Sequence, residues 1–186
     1  MKVRHCIGKN REIGKHSIGT GYRFQTVFRY NACIPTQSQK DNNMKIFYKT
    51  SATATGGRDG RTQVDDGSIG FDLVGFQNES GKIGTNPEQL FAMGYAACFD
   101  SAMNHVAPSL GLKPTKSSTT VGVGIGQKAD GAFSLDLDIT ITVAGLSVEE
   151  AKQLIEKAHA VCPYSNATRG NVDLRLHVNV ISSFDL

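Results

Sequence analysis

The chain has 186 residues, 20 of them Lys or Arg and 17 Asp or Glu, for a formal charge of +3, and 39% are hydrophobic. That is the length of one domain with enough apolar content for a buried core, which excludes a disordered chain. No apolar run approaches the ~20 residues of a spanning helix, which excludes a helical integral membrane protein. The charge is unevenly placed: residues 1–43 hold eight basic and two acidic residues (+6), whereas residues 44–186 hold 12 basic and 15 acidic ones (−3). A phosphate-binding surface needs clustered Lys and Arg, so nucleic-acid binding by residues 44–186 is disfavoured.

Residues 1–43 show no sustained apolar period, and Pro35 to Asn43 is strongly polar. Three readings compete for this tail: an N-terminal extension, disordered or with a non-native start, that precedes a natural start at Met44; a transit peptide; or a functional basic arm. The extension is preferred, because the tail matches an amphipathic, Ser-rich transit helix poorly. A secretory signal is disfavoured, since no 7–15-residue apolar core follows the N-terminal charges. The organised body is therefore 44–186.

Lys45 to Thr55 alternates apolar and polar residues and is rich in Thr and Ser, which predicts a strand. Gly56-Gly57-Arg58-Asp59-Gly60 predicts a turn, with glycines where a positive φ is needed. Ser68 to Phe76 alternates again, with Ile69, Phe71 and Leu73 on one face, so the two strands form an antiparallel hairpin with a long or bulged connection. Asn86-Pro87-Glu88-Gln89 starts a helix: Asn86 caps it, Pro87 takes the first helical position, and Glu88 complements the positive dipole end. Gln89, three residues after Asn86, completes a capping-box variant. The following Leu90 to Val106 is apolar around most of its circumference and carries small residues, as a helix buried against another helix does. Pro108 and Gly111 end it.

Ser117 to Gln127 and Phe133 to Val143 predict two strands joined by a hairpin at Asp130-Gly131. The alternating Gly122, Gly124 and Gly126 read as thin positions for close packing. Ser147-Val148-Glu149-Glu150 is a capping box that opens a helix to about Val161, ended by Cys162-Pro163. Val172 to Ile181 is a last strand with Val172, Leu174, Leu176, Val178 and Val180 on one face. The order β-β-α-β-β-α-β predicts an α+β class.

Two cysteines, Cys98 and Cys162, lie in the body; Cys6 and Cys33 lie in the tail. By position alone Cys98, in the middle of an apolar helix, reads as a small buried hydrophobe. Arg58 in its turn and Glu88 at the helix start offer another reading. A thiol reacts as thiolate, a nearby Arg stabilises that charge, and a carboxylate can hold and aim the guanidinium. Glu88 and Cys98 are ten residues apart, about 15 Å along one helix. Either a long Arg spans that gap, or Glu88 comes from a second copy of the helix in an intertwined homodimer. His105 and His159 allow a rival, a tetrahedral zinc site with the two cysteines. Without a tight CxxC pair that signal is weak.

Four segments carry a resemblance. Thr53-Ala54-Thr55-Gly56-Gly57-Arg58-Asp59-Gly60, Thr85-Asn86-Pro87-Glu88-Gln89-Leu90-Phe91-Ala92, Gly94-Tyr95-Ala96-Ala97-Cys98-Phe99 and Val161-Cys162-Pro163-Tyr164-Ser165-Asn166-Ala167-Thr168-Arg169-Gly170-Asn171 together resemble the organic hydroperoxide resistance branch of the OsmC/Ohr family. The match spans 44–186 in order and spacing; residues 1–43 lie outside it. The resemblance implies an OsmC/Ohr-like fold, antiparallel sheets wrapping central buried helices in a homodimer. It implies a cytoplasmic thiol peroxidase that reduces organic hydroperoxides, fatty-acid peroxides included, in oxidative-stress defence. Cys98 matches the peroxidatic cysteine, Cys162 the resolving cysteine that forms a disulfide with it, Arg58 the activating arginine, and Glu88 the carboxylate that holds it. No bound cofactor or metal is implied; dihydrolipoamide or a lipoylated protein is the reducing cosubstrate. The alternative is a non-catalytic thiol redox sensor or binding protein of the same fold.

Overall fold

The computed structural model describes residues 44–181. The chain divides between Lys49 and Thr50. Of the segment before the division only residues 44–49 are described, and they are in neither helix nor strand. The tail readings for 1–43 lie outside the described residues.

The second unit opens with a three-stranded antiparallel sheet in the order β1-β2-β3: β1 (Ala52–Thr55), β2 (Arg61–Val64) and β3 (Gly70–Asp72). A 3-10 turn at Gly57–Asp59 joins β1 to β2. Gly56 and Gly57 take φ of 75° and 59°, the left-handed region that glycine occupies without steric cost. A Cβ at Gly60 would collide with the Thr55 carbonyl oxygen, so the turn folds tightly back on β1. The region thus holds three strands where the sequence pattern suggests two. The expected early strand begins only at Ala52, and Ile46 and Tyr48 are exposed.

Helix α1 (Pro87–Val106) follows, capped as its sequence dictates: the Asn86 side chain accepts from the Gln89 N–H and the Gln89 side chain accepts from the Asn86 N–H. A 3-10 turn at Ala107–Leu110 leads to the hairpin of β4 (Lys116–Gln127) and β5 (Phe133–Ala144). Then come α2 (Val148–Val161), opened by the Ser147/Glu150 capping box, α3 (Pro163–Thr168) and β6 (Asp173–Ile181). β5 and β6 are parallel, with Leu137 opposite Leu174 and Ile141 opposite Val178, so this second sheet, β4-β5-β6, is mixed. A parallel pair needs a crossover of a dozen or more residues, and α2 with α3 supplies it.

The core lies between this sheet and the helices. Leu137, Ile139, Ile141 and Val143 of β5 are buried against Tyr95, Phe99, Met103 and Val106 of α1 and Leu154, Ile155 and Ala158 of α2. The opposite face of β5 and β6 is polar, where Arg175 clamps Asp136 and Asp138. Gly122 and Gly124 lie on that outer face, where an added Cβ would meet Asp138 or Asp136 at ordinary distances of 3.7 and 3.5 Å. Close packing is therefore not their reason. Helix α1 is buried on one side only: Met93 and Ala97 remain exposed in the single chain. Among the described residues no helix is long and apolar enough to cross a membrane.

Candidate active site

Cys98 lies in the middle of α1, half-buried, and Cys162 is fully buried at the junction of α2 and α3. Cys162 ends one helix and caps the next. Its N–H donates to Ala158 O and its carbonyl accepts from Asn166 N–H. Pro163 begins α3, where its missing N–H costs nothing. This double role fixes the Cys162 backbone and aims its sulfur at α1: Cys162 Sγ donates to Cys98 Sγ across 3.6 Å.

Aromatic rings join α3 to α1. Tyr164 stacks on Tyr95 with centroids 5.4 Å apart and meets Phe91 edge-on at 5.7 Å. The buried Tyr95 hydroxyl and Ser165 Oγ share a hydrogen bond of 2.9 Å. Burial pushes the Cys98 thiol above the usual cysteine range and Cys162 adds to the rise, while a backbone hydrogen bond from Tyr164 works against it.

Arg58 and Glu88 form a second pair. Nη1 donates to Oε2 at 2.9 Å and Nη2 to Oε1 at 2.6 Å, a two-pronged contact. The hydrogen bond from Arg58 holds the Glu88 carboxyl below its ordinary range, and Glu88 raises the guanidinium in turn. A cleft of ≈ 470 Å³ opens beside this pair, lined by Phe91, Ile125, Phe133 and Leu135 together with Arg58 and Glu88.

Residues 78–177, more than half the chain, match the family model described as OsmC-like protein. The chain belongs to the OsmC/Ohr family. An organic hydroperoxide resistance protein of Xanthomonas axonopodis pv. citri is 48% identical over 135 residues, covering 71% of this chain and 94% of that protein. Organic hydroperoxide resistance protein OhrB of Bacillus subtilis is 40% identical over 133 residues, covering 71% and 98%. The crystal structure of an organic hydroperoxide resistance protein from Elizabethkingia anophelis superposes with a TM-score of 0.69 at 46% identity, covering 74% of this chain and 100% of that one. That of OhrB from Bacillus subtilis gives 0.68 at 40% identity, covering 72% and 100%. The α+β architecture with its two small sheets is that of these OsmC/Ohr proteins.

Within one OsmC/Ohr chain, then, the four residues gather as two pairs, Cys98 with Cys162 and Arg58 with Glu88. Among the described residues no hydrogen bond links one pair to the other, and Arg58 is not among the groups acting on the Cys98 thiol. The side chain of Arg58 is committed to Glu88 and does not span the ten-residue gap along α1. The zinc alternative finds no support in the arrangement: among the described residues no three His, Cys, Asp or Glu side chains gather as a metal site. His105 is exposed, and His159 packs towards Phe99 with centroids 6.5 Å apart. Burial, then Arg169, lowers the His159 pKa.

Residue type alone assigns no role to Tyr95, Tyr164 or Ser165, which join α3 to α1 next to Cys162 in the chain. Their signal lies in the Cys-Pro-Tyr-Ser run. A proline directly after Cys162 starts a new helix, which carries Tyr164 and Ser165 to Tyr95 of α1.

Proposed function

We propose that this protein is a thiol peroxidase that reduces organic hydroperoxides. The observation that carries the reading is the 3.6 Å approach of two free sulfurs from distant parts of the chain. The Cys98 thiolate attacks the peroxide O–O bond; the thiol becomes a sulfenic acid and the peroxide leaves as an alcohol. The Cys162 thiol then condenses with the sulfenic acid, releasing water and forming the Cys98–Cys162 disulfide. A disulfide bond is about 2.05 Å long, so the sulfurs need only a small closing movement. A dithiol of the dihydrolipoamide or lipoyl-protein class returns both thiols and is itself oxidised to a cyclic disulfide. A transient disulfide of this kind is compatible with a reducing cytoplasm.

Cys98 needs a positive partner, because burial alone disfavours its thiolate. We assign that role to Arg58 of a second copy, held by Glu88, with the exposed strip of α1 at Met93 and Ala97 buried between the copies. The cleft beside Arg58 and Glu88 is of mixed lining, and its apolar part at Phe91, Ile125, Phe133 and Leu135 suits an alkyl peroxide better than hydrogen peroxide. The relatives' names, organic hydroperoxide resistance protein, support the same substrate class.

Turnover of cumene or tert-butyl hydroperoxide with dihydrolipoamide tests the reading. The wild-type chain should turn over steadily. Cys98→Ser should abolish peroxide consumption, and Cys162→Ser should react once and stop. Retained turnover in Cys98→Ser would sink the assignment. A single oxidation by wild type without recycling would make the protein a thiol sensor instead.

A further inference from the structure

Asp59 follows Arg58 directly in the 3-10 turn, but its side chain faces a different segment. Its Oδ1 accepts from the Gly75 N–H at 3.2 Å and from Asn78 Nδ2 at 2.9 Å. Its backbone carbonyl accepts from Lys82 Nζ at 3.1 Å, and the same ammonium donates to the Leu73 carbonyl at 3.4 Å. The Asn78 amide is itself oriented: its Oδ1 accepts from the Ser80 N–H at 2.8 Å, which leaves Nδ2 to donate to Asp59. The hydrogen bond from Asn78, then that from Gly75, holds the Asp59 carboxyl below its ordinary range, so it serves as a charged acceptor.

These contacts join two pieces of chain that matter together. One is the turn that carries Arg58. The other is the connection from β3 to α1, which runs through Gly75, Asn78 and Lys82 to the Asn86 cap and thence to Glu88. The loop tied down here also carries Phe76, which lines one cleft together with Glu88, Ala92 and Ile125. The two partners of the guanidinium–carboxylate pair therefore sit on segments cross-linked next door by Asp59.

We propose that Asp59 is a positioning residue: with Asn78 and Lys82 it latches the connection between β3 and α1 to the Arg58 turn, and so fixes how Glu88 holds and aims the guanidinium. This rests on the peroxidase reading above. Two charged side chains in a forked contact tolerate little relative displacement, and a misplacement of about 1 Å costs on the order of 100-fold in rate.

The test compares wild type, Asp59→Ala, Asn78→Asp, Arg58→Ala, and Asp59→Ala/Arg58→Ala. The readouts are the rate at which tert-butyl hydroperoxide oxidises the reduced protein, the pH inflection of Cys98 alkylation, and the melting temperature. Asp59→Ala and Asn78→Asp should each slow oxidation by about 10- to 100-fold and move the inflection towards that of Arg58→Ala. Asp59→Ala should cost nothing further in the Arg58→Ala background, because it acts through Arg58. A lower melting temperature with wild-type rate and inflection would overturn the proposal, as would additive losses in the double variant. If Asp59→Ala does not fold, Asn78→Asp decides. A wild type that consumes no hydroperoxide would sink the peroxidase reading itself; a wild type that does, beside a fast Asn78→Asp, sinks only the latch.

Discussion

Tyr164 lies over Gly94 so closely that a Cβ at position 94 would sit 2.7 Å from its phenol oxygen and 3.3 Å from Cζ. The missing side chain is what lets the ring rest on α1 and stack on Tyr95, two residues beyond Cys162. Gly94→Ala must push the ring away, and overpacking of this kind costs about 1–3 kcal/mol. The expected result is a lower melting temperature and slower disulfide closure after Cys98 is oxidised, with the first oxidation step much less affected. Stopped-flow oxidation with thiol counting separates the two steps. Unchanged closure would show that Tyr164 does not hold the Cys162 side of the site.

The Tyr95–Ser165 hydrogen bond is buried at both ends. Tyr95→Phe leaves the Ser165 hydroxyl without its partner, at a cost of about 1–3 kcal/mol. Ser165→Ala should cost a similar amount, and the double variant should lose less than the two single losses added together. Urea unfolding of the four proteins measures this. Strict additivity would mean the two hydroxyls do not act as a pair.

Acid and alkaline limits should have different origins. Hydrogen bonding from Arg58 lowers the Glu88 pKa. The pair's contribution is therefore fully present above the ordinary carboxylate pKa and is lost as the pH falls through the lowered one. Peroxide reduction should lose this support only below about pH 4.3, the ordinary Glu value. At the other end, burial raises the Cys98 thiol, and a second copy's Arg58 would counter it. Alkylation of Cys98 should inflect below the free-cysteine value of about 8.5 in wild type and above it in Arg58→Ala. Coincident profiles would remove Arg58 from the sulfur's surroundings.

Met93 is 54% exposed in the single chain, on the strip of α1 that the proposed second copy covers. Met93→Glu should place a charge in that interface, convert the protein to monomer in sedimentation equilibrium, and lower the peroxidase rate together with the dimer fraction. A Met93→Glu protein that sediments and turns over like wild type would exclude this face.

Much of the fold was legible because it is written in short-range chemistry. Asn86 with Gln89 and Ser147 with Glu150 cap their own helices within four residues, and Asp130-Gly131 turns a hairpin whose flanks pair directly, Gln127 with Phe133. What was missed depends on distant partners. Arg61-Thr62-Gln63-Val64 is too short and polar to read as a strand, and becomes one by pairing on both sides. Lys45 to Ser51 has a strand's alternation, yet no strand forms there. Cys162-Pro163 stops one helix as expected, but the same proline also begins α3. The direction of β6 has no local signature, since its apolar face is the same whether it runs with β5 or against it. At the site, the pairing of Arg58 with Glu88 could be read from residue type, whereas the pairing of Cys98 with Cys162 follows only from the family resemblance.

Cys98 and Cys162 are 64 residues apart, and the β4-β5 hairpin and α2 lie between them. A disulfide there would thread the central strands into a closed covalent ring. Restricting a loop of that size removes about 4 kcal/mol of disorder from the unfolded chain. On the proposed cycle each turnover therefore alternates a reduced form that unfolds more readily with an oxidised form tied across its own core. Protease susceptibility of the protein would then rise and fall with the redox state of its cysteines.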